Sequence, residues 1–239
     1  MKCRRVYFFL FLLFFLFFVS SLVSVMKVKA MNTGFSTEEM SEEDKAAFLK
    51  SVTITRLRTP PQKKGIMQFD VNEQGMIAVC QGSHDEICVF SALGEFLYGY
   101  SIKTTGAIYV EWDHENLNIF FVRGGTLVAL DPDGNIIDIK DVPSTVDNSI
   151  YLNALESTHR TIGDTKYRIR NDQGFILNVL TFSFSQIVVT DPDGTERIIY
   201  DINTEQIIKK IVFLPLISIA IAIVIVGIVR ECKKLQRNR

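Results

Sequence analysis

Between Gly65 and Ile139, short apolar runs alternate with polar turns, and the arrangement occurs twice. The first copy has apolar runs within residues 69–79, 87–90 and 94–97, with a polar tip at 81–86. The second copy has runs at 107–110, 118–122, 126–130 and 134–137. Short runs rich in Val, Ile, Phe and Tyr, bounded by Gly, Asn and Asp, are typical of β-strands. The pattern therefore predicts a mainly β domain.

Turn sequences recur at spacings that indicate a larger repeat. Asn72-Glu73-Gln74-Gly75 is matched by Asn171-Asp172-Gln173-Gly174, and Asp131-Pro132-Asp133-Gly134 by Asp191-Pro192-Asp193-Gly194. Gly94 and Gly134 are 40 residues apart, and Gly134 and Gly194 are 60 apart. The longer gap holds the polar stretch Asp141 to Lys166, which we interpret as an insertion. A period near 40 residues with four strands is typical of a propeller blade, so the sequence predicts about three four-stranded antiparallel units.

The first copy is similar to an NHL-type β-propeller repeat. The similarity covers Phe69-Asp70-Val71 before the Gly75 turn, the strand Ile87-Cys88-Val89-Phe90, and the ending Gly94-Glu95-Phe96-Leu97. The second copy has Asn116-Leu117 in place of the glycine before its central strand. The resemblance implies a propeller-like fold whose face binds proteins, nucleic acid or ligands, and its motifs assign no site residue.

Closure of such a propeller is a physical problem, because propellers have typically 4–8 blades and this chain has room for about three. Open sheet edges invite pairing with other chains. Two copies could close a six-bladed ring. Alternatively, the β-sheets form an open stack whose edges are covered by Asp141 to Lys166 and Met31 to Lys50, and this second interpretation is favoured.

Both ends of the chain carry a long uncharged block. Val6 to Met26 follows Lys2, Arg4 and Arg5 and is long enough to span a bilayer, either as a signal anchor or as part of a signal peptide. Ile211 to Val229 is followed by a basic tail. The basic flanks place both termini in the cytoplasm, and residues 31–208 outside it.

These features predict five segments. A signal anchor or signal peptide occupies 1–30 with a transmembrane helix at 6–26, and a helical spacer and linker occupies 31–64. The β domain covers 65–207, a second transmembrane helix 208–229, and a cytoplasmic tail 230–239. The fold is thus propeller-like blades between two transmembrane helices. Asn-x-Ser/Thr sequons are absent from the sequence, which favours a bacterial plasma membrane.

Cys80 and Cys88 flank the polar tip of the first hairpin. If the hairpin is centred on His84, the two thiols face each other and could form a disulfide in an oxidising compartment. The alternative is a pair of small buried apolar side chains. The two Asp-Pro-Asp-Gly sequences are interpreted as turns, because neither has the closing Glu of a calcium-binding loop.

Composition narrows the function further. The net charge is −1 and basic stripes with aromatic residues are absent, which argues against nucleic acid. The sequence shows no catalytic motif, so we expect no catalytic, cofactor-binding or metal-binding residue, and we expect the chain not to be an enzyme. The predicted function is a membrane-anchored binding or scaffold module. Its partners would be the lipid bilayer and a protein partner or a second copy, with the ligand unknown. A transmembrane sensor is the alternative, and an extracytoplasmic hydrolase is least favoured.

Overall fold

The computed structural model describes residues 31–179, 181–212, 215, 219, 223–225, 227 and 228. The chain divides into two units, residues 1–32 and 33–239, and the second unit contains all of the β-sheets. The predicted helix at 6–26 and the tail at 230–239 lie outside the described residues.

The described residues form fourteen strands and three α-helices, besides a helix at the C-terminal end. The strands are β1 (Glu38–Glu39), β2 (Thr53–Leu57), β3 (Ile66–Val71), β4 (Ile77–Gln81), β5 (Glu86–Phe90), β6 (Phe96–Lys103), β7 (Ile108–Asp113), β8 (Asn116–Phe121), β9 (Thr126–Leu130), β10 (Ile136–Asp141), β11 (His159–Ile162), β12 (Thr165–Arg170), β13 (Gln186–Thr190) and β14 (Glu196–Asp201). The helices are α1 (Glu42–Ser51), α2 (Val146–Leu155) and α3 (Phe175–Val179). Val122–Gly124 forms a 3-10 turn. Residues 203–212 are helical and form the C-terminal helix.

The strands form three antiparallel sheets, each built on four consecutive strands. Sheet I has the order β2-β6-β5-β4-β3, sheet II the order β1-β10-β9-β8-β7, and sheet III the order β11-β12-β13-β14. The prediction of a mainly β fold built from about three antiparallel units is confirmed. The two Asp-Pro-Asp-Gly sequences form the turns predicted for them. Their last residues, Gly134 and Gly194, adopt φ values of 89° and 86°, a region that favours glycine.

Sheet I lies between the other two sheets. Its Cys80, Ile87 and Tyr100 side chains are buried in one core with residues of sheet II. Its Phe69, Val79 and Cys88 side chains are buried in a second core with residues of sheet III. The spatial order is therefore III–I–II, although the chain builds the sheets in the order I, II, III.

The predicted insertion at 141–166 explains this order, because it carries the chain back across the inner strands. Within it, α2 begins at a Thr145 side chain that accepts the N–H of Asn148 (3.1 Å). At the end of α2, the Leu155 carbonyl accepts hydrogen bonds from Gln68 Nε2 of β3 (3.4 Å) and from Arg160 Nη2 of β11 (2.8 Å). The segment is a crossover that begins sheet III on the far side of sheet I.

Side chains of β3 connect the inner strands of all three sheets. Gln68 accepts the N–H of Val110 (3.0 Å) and donates to its carbonyl (2.9 Å). Asp70 accepts the N–H of Trp112 (2.8 Å) through one oxygen and the Arg160 guanidinium (2.8 Å) through the other. The Asp70 carboxylate therefore bonds to β7 of sheet II and β11 of sheet III at once.

Additional segments cover two edges and one outer face of the stack. β1 pairs with β10 and β2 with β6 at the outer edges of sheets II and I. On the face of sheet II away from sheet I, the ring of Phe35 packs against Phe120 (4.6 Å between centroids) and Tyr151 of α2 (4.8 Å). Of these segments, β1, Phe35 and α2 lie within the ranges 31–50 and 141–166 that the open-stack interpretation names, whereas β2 lies outside both.

The predicted span at 208–229 is described only in part. Among the described residues, none of the helices combines the length and the apolar character that a membrane span needs. Both predicted spans stay predictions.

Candidate functional site

A cavity of about 300 Å³ lies where three segments meet: the linker 62–65, the loop 181–183 and the C-terminal helix. Four of its lining residues are lysines, namely Lys63, Lys64, Lys209 and Lys210. We call this cavity the basic cleft. Because its walls come from segments far apart in the chain, its shape depends on how each segment is fixed to the β domain.

Tyr200 fixes the linker. Its ring is buried between sheets I and III, and its hydroxyl accepts the backbone N–H of Lys64 (3.0 Å). The same hydroxyl lies 2.6 Å from the Lys64 carbonyl and 2.7 Å from Gln81 Oε1, and donates its one proton to one of them. Burial raises the pKa of Tyr200, so the hydroxyl keeps this proton at neutral pH. The Lys63 ammonium lies 4.9 Å above the Tyr200 ring, a cation–π contact.

Gly65 allows the linker to approach the loop. The backbone of Ile66 exchanges two hydrogen bonds of 2.8 Å with that of Phe184. A Cβ at position 65 would lie 2.0 Å from Ser183 Oγ and 2.6 Å from its Cβ. A side chain at this position would push the linker and the loop apart and open the floor of the cleft.

Two polar side chains on one face of the C-terminal helix hold it against the domain. Gln206 accepts a hydrogen bond from Gln173 Nε2 (2.7 Å) and donates to Ser183 Oγ (3.3 Å). Lys210, one turn later, donates to the Leu177 carbonyl (2.8 Å), to Gln173 Oε1 and to Thr181 Oγ1. Residues four apart share a helix face, so both contacts form in one docked position.

The charges of the cleft are only partly neutralised. Lys64 forms ion pairs with Glu86 (3.1 Å) and Asp85 (3.5 Å). Burial alone would lower the pKa of Lys64, but these carboxylates outweigh it and the pKa is raised. By contrast, the hydrogen-bond acceptors of Lys210 are neutral oxygens. Glu205 is the one carboxylate among the lining residues that the structure describes.

The resulting donor set suits an anion. Ammonium groups and the hydroxyl of Ser183 line one cavity. Hydrogen bonds from charged donors to oxyanions are shorter and stronger than neutral ones. The cleft can therefore attract and orient an anionic group.

A second polar cluster lies under α2, on the face of sheet II away from sheet I. Glu111 is 5% exposed and accepts hydrogen bonds from the Tyr151 hydroxyl (2.5 Å) and from Asn118 Nδ2 (3.2 Å). Burial raises the pKa of the Glu111 carboxyl despite these bonds. Asp113, at the end of β7, is also buried, with 3% of its surface exposed. This cluster binds α2 to the sheet and lines none of the described cavities.

The two predicted site residues, Cys80 and Cys88, do not meet in the structure. Both thiols are free and buried. Cys80 pairs across the hairpin with Ile87, and Cys88 with Val79. Consequently the two side chains point to opposite faces of sheet I, Cys80 into the core with sheet II and Cys88 into the core with sheet III. This structure does not contain the disulfide that the sequence suggested.

Sequence reasoning missed the basic cleft. Its signal was present as two lysine pairs, Lys63-Lys64 and Lys209-Lys210. The first pair lies in the predicted linker, and the second pair flanks the predicted transmembrane helix. The order of residues along the chain does not show that Tyr200 and Gln206 bring the two lysine pairs together. In the described part of the chain, no group of three or more His, Cys, Asp or Glu side chains could hold a metal ion.

Neither a known protein family nor a curated protein matches this sequence. Among solved structures, a catalytically inactive virginiamycin B lyase from Staphylococcus aureus with quinupristin matches at 12% identity and a TM-score of 0.29, over 63% of this chain and 46% of that chain. A streptogramin B lyase matches at 11% identity and a TM-score of 0.27, over 63% of this chain and 45% of that chain. The chain thus spans less than half the length of either lyase.

The names of these two structural neighbours correct the prediction that the chain is not an enzyme. The absence of catalytic motifs predicts that the chain is not an enzyme, yet both of these structural neighbours are named lyases. The non-enzymatic assignment is therefore withdrawn. At these TM-scores, the likeness transfers no residue, substrate or mechanism to this chain.

Proposed function

We propose that the chain is a membrane-anchored binding module that holds a β domain, of three propeller-like sheets, at the outer surface of a bilayer. The observation that carries the proposal is the attachment of the C-terminal helix. Gln206 and Lys210 fasten this helix to the domain immediately before the uncharged block 211–229. A span of this length suits a hydrocarbon core of about 30 Å.

The surface near this junction supports the same placement. Phe182 beside the basic cleft is 97% exposed, and Phe175 at the start of α3 is 84% exposed. Exposed apolar rings are costly in water, and Phe is among the residues that interfacial segments bury at the boundary between headgroups and acyl chains. The module would thus present the basic cleft toward the bilayer and the far ends of its sheets toward a protein partner or ligand.

A transmembrane sensor is the second candidate, and the composition of the cleft favours it. Lys209 and Lys210 of the C-terminal helix line the same cavity as Lys63 and Lys64 of the domain. A ligand bound there would contact both parts. Ligand binding could then change the position of the helix relative to the β domain, which is the coupling that a sensor requires.

Membrane extraction tests the anchoring. We expect the full-length chain to stay in the membrane pellet after alkaline carbonate washing. The substitution Ile219→Arg places a charge near the centre of the uncharged block, and should weaken retention because a central Arg costs about 3 kcal/mol of insertion free energy. Release of the wild-type chain by carbonate would overturn the proposal.

Thiol labelling tests the orientation. A variant without native cysteines that carries Leu93→Cys should react with a membrane-impermeant maleimide in intact cells, because Leu93 is 76% exposed. A matched variant that keeps only Cys232 should react only after lysis, since the predicted tail is cytoplasmic. The reverse pattern would place the β domain inside the cell.

A further inference from the structure

We infer that the basic cleft binds a phosphate group, supplied by the headgroup of an anionic lipid or by free phosphate. The phosphate chemistry stands on the cleft alone, whereas the lipid source rests on the membrane anchoring proposed above. Three properties of the cleft carry the inference: its charge, its size and its apolar rim.

Charge is the first step. Of the four lysines, Lys64 has carboxylate partners within 3.5 Å, whereas Lys210 is held by neutral oxygens and Lys63 by an aromatic ring. Hydrogen bonds to neutral oxygens orient the Lys210 ammonium but do not cancel its charge. Among the described residues that line the cleft, Glu205 is the one carboxylate. The four lysines therefore outnumber Glu205 and the two carboxylates paired with Lys64, and the cleft keeps a positive potential.

Size and donor chemistry are the second step. A cavity of about 300 Å³ is at the small end of ligand pockets, which are on the order of 300–1,000 Å³. It suits a compact group rather than an extended ligand. The Thr181 hydroxyl donates its proton to the Leu177 carbonyl (2.8 Å). The Ser183 hydroxyl accepts from Gln206 and can add a short neutral donor to the ammonium groups, and lysine is a common point-charge ligand of phosphate.

The apolar rim is the third step. Phe182 lines the cleft and is 97% exposed, so an apolar ring stands beside a cationic cavity. A soluble phosphate gains nothing from this ring. A lipid would place its phosphate among the lysines and its acyl chain against the ring, where the bilayer begins.

Lipid retention in the full-length chain tests the inference. The chain is purified in mixed micelles with equal amounts of phosphatidylglycerol and phosphatidylcholine, and the bound lipids are counted by native mass spectrometry. The cleft variant is Lys63→Gln with Lys209→Gln. The control is Lys103→Gln with Lys166→Gln, which removes the same charge at two exposed positions of sheets I and III. Thermal melting of both variants confirms folding, and a second arm measures binding of inorganic phosphate alone by calorimetry.

We expect the wild-type chain and the control to retain phosphatidylglycerol preferentially. The preference should fall about fivefold or more in the cleft variant, since each basic residue near an anionic surface contributes about a factor of five. Calorimetric binding of phosphate that is lost in the cleft variant, without lipid preference, would assign the cleft to free phosphate. Equal behaviour of the cleft and control variants in both arms would overturn the inference. Neither arm depends on carbonate extraction, so the membrane anchoring can fail separately.

Discussion

At the scale of single residues, the two cysteines of the first hairpin show how much depends on one position of register. A hairpin centred on His84 would pair Cys80 with Cys88. The actual turn covers residues 82–85 and pairs Gln81 with Glu86, so the centre lies half a residue earlier. Side chains alternate between faces along a strand, and this shift sends the thiols to opposite faces. Sequence reasoning located the hairpin but could not fix its centre.

The free thiols lead to a labelling prediction. In a variant with Cys3→Ser and Cys232→Ser, Cys80 and Cys88 should resist alkylation in the native protein and both react in urea without reductant. Burial raises the pKa of Cys88 to about 12 and that of Cys80 further, so neither forms the reactive thiolate near neutral pH. Mass spectrometry counts the added groups. A urea-unfolded chain that gains none until it is reduced would show that the disulfide exists.

The buried carboxyl of Glu111 should make stability depend on pH. Burial raises its pKa in the folded chain, so the folded state binds the proton more tightly than the unfolded state. Its contribution to stability is therefore largest below the ordinary glutamate pKa. This contribution is lost as the pH rises from the ordinary glutamate pKa, which applies to the unfolded chain, to the raised pKa of Glu111 in the folded chain.

Glu111→Gln removes this titration while it keeps an acceptor for the Tyr151 hydroxyl. The free energy of unfolding of this variant, minus that of the wild type, should increase through the same pH range and then level off. Urea titrations followed by the fluorescence of Trp112, the only tryptophan, measure the difference at each pH. A difference that stays constant with pH would show that Glu111 titrates alike in both states.

At the scale of elements, the period near 40 residues predicted the sheets well, because local alternation and turn chemistry decide where strands begin and end. Gln68 and Val110, like Asp70 and Trp112, are hydrogen-bonded at a separation of 42 residues, which is the same repeat in three dimensions. The spatial order III–I–II could not be predicted. It is set by the crossover of α2, whose Leu155 carbonyl is held by Gln68 and Arg160, and such long-range contacts leave no periodic signal.

The contact of Asp70 with Arg160 joins these elements, and its loss should destabilise the stack. The two side chains are about 15% exposed and 2.8 Å apart. Removing one partner of a mostly buried pair leaves the other charge uncompensated, so Asp70→Ala should lower the free energy of unfolding by roughly 3 kcal/mol. The urea midpoint of the full-length chain in mild detergent measures the loss.

A surface pair in sheet III provides the control for Asp70. Arg168 and Glu196 also lie 2.8 Å apart, but their side chains are 38% and 44% exposed. Exposed ion pairs contribute about 0–1 kcal/mol, so Glu196→Ala should change the midpoint little. Equal effects of Asp70→Ala and Glu196→Ala would show that Asp70 does not hold the three sheets together.

At the scale of the whole molecule, neither outer sheet of the three-sheet stack offers a face on which a further sheet could pack. On sheet II, Phe35 and α2 cover the face that a further blade would occupy. On sheet III, the face away from sheet I carries Arg168 and Arg170 around Glu196. Stacking another sheet on this face would bury several charges, which costs several kcal/mol per ion unless each finds a partner. Both outer sheets of the stack are thus protected against association, sheet II by a covering helix and sheet III by charged side chains.

Ring closure by two copies should accordingly not occur. Light scattering of the full-length chain in mild detergent, across a dilution series, should give one chain per particle. A particle of two chains that persists on dilution would contradict this prediction only if the chains meet at the free face of sheet III. The variant Arg168→Glu decides this, because it reverses a charge on that face. A two-chain particle that disappears in Arg168→Glu would place the contact on sheet III, whereas one that survives must be held together elsewhere, for which the uncharged block 211–229 is the first candidate.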